Sequence, residues 1–494
     1  MPSEAEILRL IQEDSASAKK QNARKGQAYY EGEHDIKNYR LYYYNADGTL
    51  VEDKTRSNIK ISHPFLTELI DQKVQYTMSG KNPMIRSDDA ELQTLLDEYF
   101  NENEDYTREL YEVLTGASAK GFEYMYAYKN AEGKTSFQCA DSLGVVEVRA
   151  KDTDDNCEYV IYWYYDRIDK GQKKIKRIQV WDSHQTFFYV SEDDGKIEKD
   201  TSQEINPRPH TLYRKKDGGE LYYEDYGFIP FFRLDNNKKQ FSDLKPIKHL
   251  IDDYDLMSCG LSNNLQDASE YLVVVKGFQG DNLDELQKNV KTKKIVGVDS
   301  EGGVEVQTVD VPYEARKAKL ELDEKNIYRF GFGLNTSGLK DTSATTNIAI
   351  KAAYSLLDLK CSRMIIKLKQ FLRKLVRVVL AEINANNGTD YQQKDVYFKF
   401  EPEIMSNATE NAQIEKTEAE IQQIRVNTIL NIAANVGDEQ TLKAICEVME
   451  WDYEDLKGQV EKMREEQNTA DAKAMLEGVA TDEETEETFP AGAE

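Results

Sequence analysis

Residues 331–345 read GFGLNTSGLKDTSAT, a Gly-, Ser- and Thr-rich stretch with one lysine between two strongly helical segments. Gly333 and Gly338 have the four-residue gap of a phosphate-binding P-loop, but the register fails. That motif needs lysine directly after the second glycine and a hydroxyl directly after the lysine, so that amides, ammonium and hydroxyl converge on one triphosphate. Here Leu339 takes the lysine's place, Lys340 comes one residue late, and Asp341 separates it from Thr342. A P-loop also follows a short buried strand, whereas the preceding EARKAKLELDEKNIYRF is charged and helix-periodic. The stretch reads as a polar loop between two long helices.

Downstream of it, Leu357, Cys361, Ile365, Leu368, Leu372, Leu375, Val379 and Ile383 recur at three- and four-residue steps. They predict one helix from about 346 to 386, roughly 60 Å long at 1.5 Å per residue. Lys360, Arg363, Lys367, Lys374 and Arg377 form a basic stripe on another face, suited to solvent, to acidic neighbouring subunits or to phosphate. Upstream, Pro312 opens a helix that leads into the loop. Before that lies an insert with the strand-like VVVKG, a short helix DNLDELQKNV, and the strand-like KKIVGV and VEVQTV around a turn at DSEGG. LKPIKHLIDDYDLMSCGLSNNLQDASEYLVV precedes the insert and predicts a helix of about 25–30 residues.

Ser3 and Glu6 form a capping box that starts a first helix running to about Gly32. NYRLYYYNADGTLVE reads as a hairpin, and a helix begins at His63-Pro64 and ends near Gly80. Two more helices are predicted over 88–103 and 105–119. From Gly121 to about Phe232, short runs such as FEYMYAY, EYVIYWYY and TFFYV alternate with turn signals, marking a β-rich region. A strand-like VYFKFEPEI precedes helical sequence over 408–470, and the acidic tail EGVATDEETEETFPAGAE is expected to be disordered.

The 494 residues allow several domains with sizeable cores. No apolar run approaches the roughly 20 residues of a membrane span. Five scattered cysteines without C-x-x-C spacing suit a reducing compartment and neither disulfides nor zinc. The net charge of −26 argues against a surface that grips nucleic acid; it first suits an acidic solvated surface that keeps the chain soluble, and it also suits a channel through which DNA slides without sticking. Asp152, Asp154 and Asn156 copy the first half of an EF-hand loop, but Cys157 stands where its glycine belongs and Trp163 where its glutamate belongs. The five histidines show no metal-ligand spacing. No nucleophile elbow or dinucleotide fingerprint appears, so neither an enzyme nor a cofactor or metal site is expected.

The succession of parts carries more than any single motif. YYEGEHDI, SNIKISHPFLTELIDQKVQYTMSGKNP, the β-rich block with its IPFFRLDNN exit and LIDDYDLMSCGLSNNLQDASEYLVVVKG follow one another. PYEARKAKLELDEKNIYRFGFGLNTSG and NIAIKAAYSLLDLKCS continue the order, over roughly residues 25–400. In this the chain resembles the portal proteins of tailed double-stranded DNA bacteriophages, in the long-tailed branch of Gram-positive hosts.

The resemblance implies an α+β portal fold with long stem and wing helices, a β-rich wing, a small α/β clip and a helical crown. It maps the wing to 1–242 (β-rich over 121–232), stem helices to 243–272 and 312–330, the clip to 273–311 and the tunnel loop to 331–345. The long wing helix and following strand fall at 346–400, the crown at 401–475 and the acidic tail at 476–494. Asn335, Thr336, Ser337, Lys340, Asp341 and Thr342 of the tunnel loop would then face a DNA channel. Lys288, Lys291, Lys293 and Lys294 would offer phosphate or adaptor contacts in the clip. The implied function is a non-enzymatic twelve-subunit ring at one capsid vertex of the virion, formed in the host cytoplasm during assembly. Double-stranded DNA passes through it non-specifically, with no membrane involved. Its partners would be terminase, major capsid and scaffolding proteins, and a head-completion or adaptor protein. An oligomeric adaptor or scaffold without DNA traffic, and a P-loop-like nucleotide-binding protein, are the competing readings.

Overall fold

The structure is a computed structural model. It describes most of residues 2–449, leaving out chiefly 81–83, 152–156, 215–220, 268–271, 279–297, 308–311, 336–346 and 403–407, and nearly all of 450–494. The chain divides into two compact units, one of residues 1–340 and 351–404, the other of 341–350 and 405–494. Helix and sheet are mixed, as the expected α+β class requires.

The first helix of the sequence reading is two helices, α1 (Glu4–Ala16) and α2 (Ala18–Tyr30). Ser17 breaks the run because its extended backbone leaves the helix while its hydroxyl accepts from Lys20 N at 3.2 Å, capping a new one. The break frees the two segments to face different partners. α1 lays Ile7 and Ile11 on a sheet, and α2 buries Lys20, whose Nζ donates to Val145 O at 2.7 Å and pairs with Asp14 at 3.0 Å.

The Tyr-rich hairpin forms as expected from β1 (Tyr42–Tyr44) and β2 (Leu50–Glu52). Pro64 precedes α3 (Phe65–Met78), and the short strand β3 (Ile85–Arg86) leads to α4 (Ala90–Leu96) and α5 (Glu104–Lys120). The β-rich region holds β4 (Phe122–Lys129), β5 (Thr135–Ala140), β6 (Val145–Val148), β7 (Tyr159–Ile168) and β8 (Lys173–Trp181). It continues with β9 (Gln185–Glu192), β10 (Ile197–Lys199), β11 (Arg208–Pro209), β12 (Thr211–Arg214), β13 (Leu221–Glu224) and β14 (Phe231–Asp235). These make an antiparallel sheet in the order β14-β4-β5, a larger one in the order β10-β9-β8-β7-β6 with β11 on β9, and the pair β12-β13. α1 covers the larger sheet.

Next come α6 (Lys248–Asp267), β15 (Leu272–Phe278), β16 (Val298–Gln307), α7 (Tyr313–Gly331) and α8 (Asn347–Asn387). α6 is shorter than its sequence suggested, because the residues from Leu272 belong to β15. The DSEGG segment is not a turn either. Val298 pairs with Phe278 and Gly303 with Lys276, so the segment lies within β16 as a bulge in its antiparallel ladder. Glycine is required there, since a Cβ on Gly302 would stand 2.4 Å from Lys276 O.

α8 is 41 residues long, as its periodicity demands. It buries Leu357 and Cys361, and it places Leu368, Leu372, Leu375 and Val379 in the core with α3, α5 and the β14-β4-β5 sheet. Met364 is buried in that row, whereas Ile365 is only half-buried. Near the end of α8, Glu382 accepts from Tyr99 Oη at 2.8 Å, Lys129 Nζ at 2.6 Å and Thr135 N at 3.0 Å, tying it to β4 and β5. β17 (Tyr397–Phe398), inside the strand-like VYFKFEPEI, pairs with β3. In the second unit α9 (Ala408–Val436) and α10 (Asp438–Met449) pack on each other through a joint at Gly437, with Cys446 buried.

Candidate functional site

The stretch that raised the first question has a fastened root. α7 ends at Phe332 in the left-handed region (φ 58), and Gly333 N donates to Tyr328 O at 2.9 Å. Gln72 of α3 then grips Leu334 from both sides: its Oε1 accepts from Leu334 N and its Nε2 donates to Leu334 O, each at 2.9 Å. Leu334 is buried, and Asn335 Nδ2 reaches Glu324 Oε1 at 3.4 Å. Gly333 of the failed phosphate motif serves packing, as does Gly331 beside it, while Gly338 lies outside the described residues. A Cβ on Gly333 would lie 2.0 Å from Leu69 Cδ2, and one on Gly331 2.7 Å from Leu69 Cδ1. Gly333→Ala is therefore expected to lower stability by about 1–3 kcal/mol, the cost of overpacking, read as a lower midpoint in urea unfolding.

Beside this root lies a buried charge cluster. Asp243 accepts from Lys73 Nζ and Lys360 Nζ, each at 3.1 Å, and from Asn236 Nδ2 at 2.8 Å. Lys73 also donates to Asn236 Oδ1 at 2.7 Å, and Lys360 to Gly331 O at 2.9 Å. One carboxylate thus joins α3, the segment before α6, the end of α7 and α8. Burial alone would raise the Asp243 carboxyl, but Lys360 and Lys73 hold it well below the usual carboxylate range. Burial pulls the Lys73 ammonium below the lysine range against the attraction of Asp243. A cleft of about 400 Å³ opens here, lined among others by Lys360, Arg363, Phe241 and Phe330. The basic stripe is thereby divided: Lys360 is a structural ion pair, Arg377 packs over the Phe228 ring at 4.7 Å, and Arg363 and Lys374 are exposed.

α6 is held by a ladder of unlike parts. The backbone N–H groups of Ile59, Ile61 and His63 donate to Asn263 Oδ1 (2.7 Å), Cys259 Sγ (3.2 Å) and Asp255 Oδ1 (3.0 Å). Every second residue of an extended segment advances about 6.6 Å and every fourth residue of a helix about 6 Å, so the two repeats match. Asp255 is fully buried and also accepts from His34 Nδ1 at 2.6 Å and His63 Nδ1 at 2.8 Å. Burial opposes its charge, but those hydrogen bonds keep the carboxyl below its usual value.

Ser258 Oγ stands 3.4 Å from His63 Nε2, so a hydroxyl, an imidazole and a carboxylate fall in the order of a hydrolytic triad. Ser258 lies inside α6, whose backbone N–H groups are committed to the helix, and Asp255 is shared with His34.

Of the residues named from sequence, Asn335 falls at the fastened root. Thr336, Ser337, Lys340, Asp341 and Thr342 lie outside the described residues, as do Lys288, Lys291, Lys293 and Lys294 of the insert and Asp152, Asp154 and Asn156. Asp243, Gln72 and Asp255 were missed. Nothing in the sequence separated Asp243 or Asp255 from the many solvated acids around them.

The site thus combines a long core helix, a β-rich region, and a helix–strand pair–helix succession leading into a fastened polar loop, and no cluster that could hold a metal ion occurs among the described residues. A family model described as Phage portal protein, SPP1 Gp6-like matches residues 11–473, and the chain belongs to that family. It is 29% identical over 367 residues to the portal protein of Bacillus phage SPP1, covering 74% of this chain and 70% of that one. It is 25% identical over 432 residues to the portal protein of Clostridium phage phiCD119, covering 83% and 89%. The resemblance to portal proteins from phages of Gram-positive hosts is borne out. Proteins of this family are structural components of the phage capsid. No described helix is long and apolar enough to cross a membrane.

Proposed function

We propose that this chain forms the ring at one capsid vertex through which double-stranded genomic DNA enters during packaging and leaves during ejection. Twelve copies surround the channel in the virion. The ring is built in the host cytoplasm, where it helps nucleate the procapsid with major capsid and scaffolding proteins. Terminase docks on it and supplies the ATP hydrolysis, and head-completion proteins bind later; the chain itself catalyses nothing. The observation that carries this reading is the family match over residues 11–473. The order α6, β15–β16, α7, loop, α8 supports reading α6 and α7 as stem, 273–311 as clip, 331–345 as tunnel loop and α8 as the long wing helix, with the wing in 1–242 and the crown in 401–475.

In that frame Thr336, Ser337, Lys340, Asp341 and Thr342 present hydroxyls, backbone amides and one adjacent cation–anion pair to the duplex, with Asn335 at their root against Glu324. Such groups touch phosphates weakly and read no bases, which favours sliding. The overall charge of −26 adds repulsion that keeps DNA from settling on the wall. Lys288, Lys291, Lys293 and Lys294 would add a basic ring in the clip. Electron microscopy of the purified protein, with class averages viewed down the symmetry axis, tests the reading. Rings of about twelve subunits with a channel wide enough for a B-form duplex are expected. A compact monomer or dimer at high concentration would overturn it.

A further inference from the structure

α8 has two apolar faces. One is buried in its own unit; on the other, Leu356, Leu359, Arg363 and Ile366 recur at spacings of three and four, Arg373 and Arg377 continue the stripe two turns on, and all are exposed. The three apolar members are large and open, with Leu356 38%, Leu359 45% and Ile366 60% exposed. A helix apolar on both sides has a second partner, and a stripe of this kind marks an interaction surface. Its far end is basic, and Arg363 and Arg373 form no ion pair or hydrogen bond with any described residue.

The opposite charge is concentrated elsewhere in the same unit. Residues 88–112 carry ten acids and a single base, Arg108. Asp88, Glu91, Glu102, Glu104 and Glu112 are exposed and have no ion-pair partner among the described residues. Around Glu102, Glu104 and Glu112 runs a groove of about 620 Å³. No ion pair joins this acidic surface to the α8 stripe among the described residues, so each is unbalanced within one chain.

We infer that the exposed face of α8 is one half of the contact between neighbouring copies of this chain, and that the acidic surface of residues 88–112 on the next copy covers its basic end. Two different patches meeting head to tail make a heterologous interface, the kind that closes into a ring rather than a two-fold dimer. The occupant is a second copy because that partner is present whenever the chain is made, and because a chain of net charge −26 supplies the acid that a local basic stripe lacks. The inference rests on the ring reading above and names the surfaces that build it.

The test uses the full chain, with particle mass read by light scattering and fold by circular dichroism. Wild-type rings are expected to fall apart as salt is raised, since screening weakens exposed charge pairs. Arg363→Glu with Arg373→Glu is expected to abolish rings at a concentration where wild type is fully assembled, with helix content retained. Adding Glu102→Lys and Glu112→Lys to that variant is expected to restore them. Arg373→Gln, a milder change, is expected to lower the salt concentration at which rings dissociate. Rings that survive the double arginine reversal with an unchanged salt midpoint would overturn the inference while leaving the ring reading in place, and would assign the stripe to another partner. Loss of rings that the acidic swap does not rescue would overturn the pairing with residues 88–112. A monomeric wild-type chain would overturn both.

Discussion

A chain in which residues 336–342 are replaced by Gly-Ser-Gly is expected to assemble rings indistinguishable from wild type and yet to yield mostly empty heads in a packaging assay. The reason lies in the separation of root from tip. Gln72, Tyr328 and Glu324 hold residues 333–335, so those three stay in the shortened chain and the packing of Leu334 is preserved. What is removed is the segment that carries Thr336, Ser337, Lys340, Asp341 and Thr342, together with Gly338 and Leu339. If shortened rings fill and retain DNA as wild type does, the tunnel-loop assignment fails. If the shortened chain does not form rings, the segment has a role in assembly and the assignment fails equally.

Asp243→Ala carries the largest expected stability loss, about 3–5 kcal/mol, because it leaves buried cations without their carboxylate. Lys73, already pulled below the lysine range by burial, sheds its proton more readily without Asp243, and this keeps the loss from exceeding that range. The effect has a definite pH dependence. The carboxyl is held well below its unfolded value of about 4, so its contribution is complete above that value and disappears as the pH falls beneath it. Urea midpoints of wild type should therefore drop more steeply than those of Asp243→Ala between about pH 5 and pH 2. Parallel curves for the two proteins would show that Asp243 contributes nothing through its charge.

The sequence yielded most where periodicity was long and uninterrupted. α8 announced its length and its buried row because one face stays apolar for eleven turns, and the α6–insert–α7 order showed in the alternation of helical and β-branched runs. It yielded least where a single side chain decides the geometry. The hydroxyl of Ser17 splits a helix that composition would continue, and Gly302 lets DSEGG run on in a strand when its residues read as a turn. At the loop, Gly333, which helps mimic a phosphate motif, turns out to admit Leu69, a contact across more than 260 residues of chain that no local pattern encodes. Asp243, Asp255 and Gln72 were illegible for the same reason, since their partners lie far away in sequence.

The matched repeats of α6 and residues 59–63 give that helix the behaviour of a toothed rack. Three acceptors at positions 255, 259 and 263 engage three donors at once, so a slip that releases one releases all of them, and a partial slip finds no new register. An axial push on α6 is then passed into the N-terminal segment as a whole instead of being lost in sliding. The helix and the extended segment it drives move as one part.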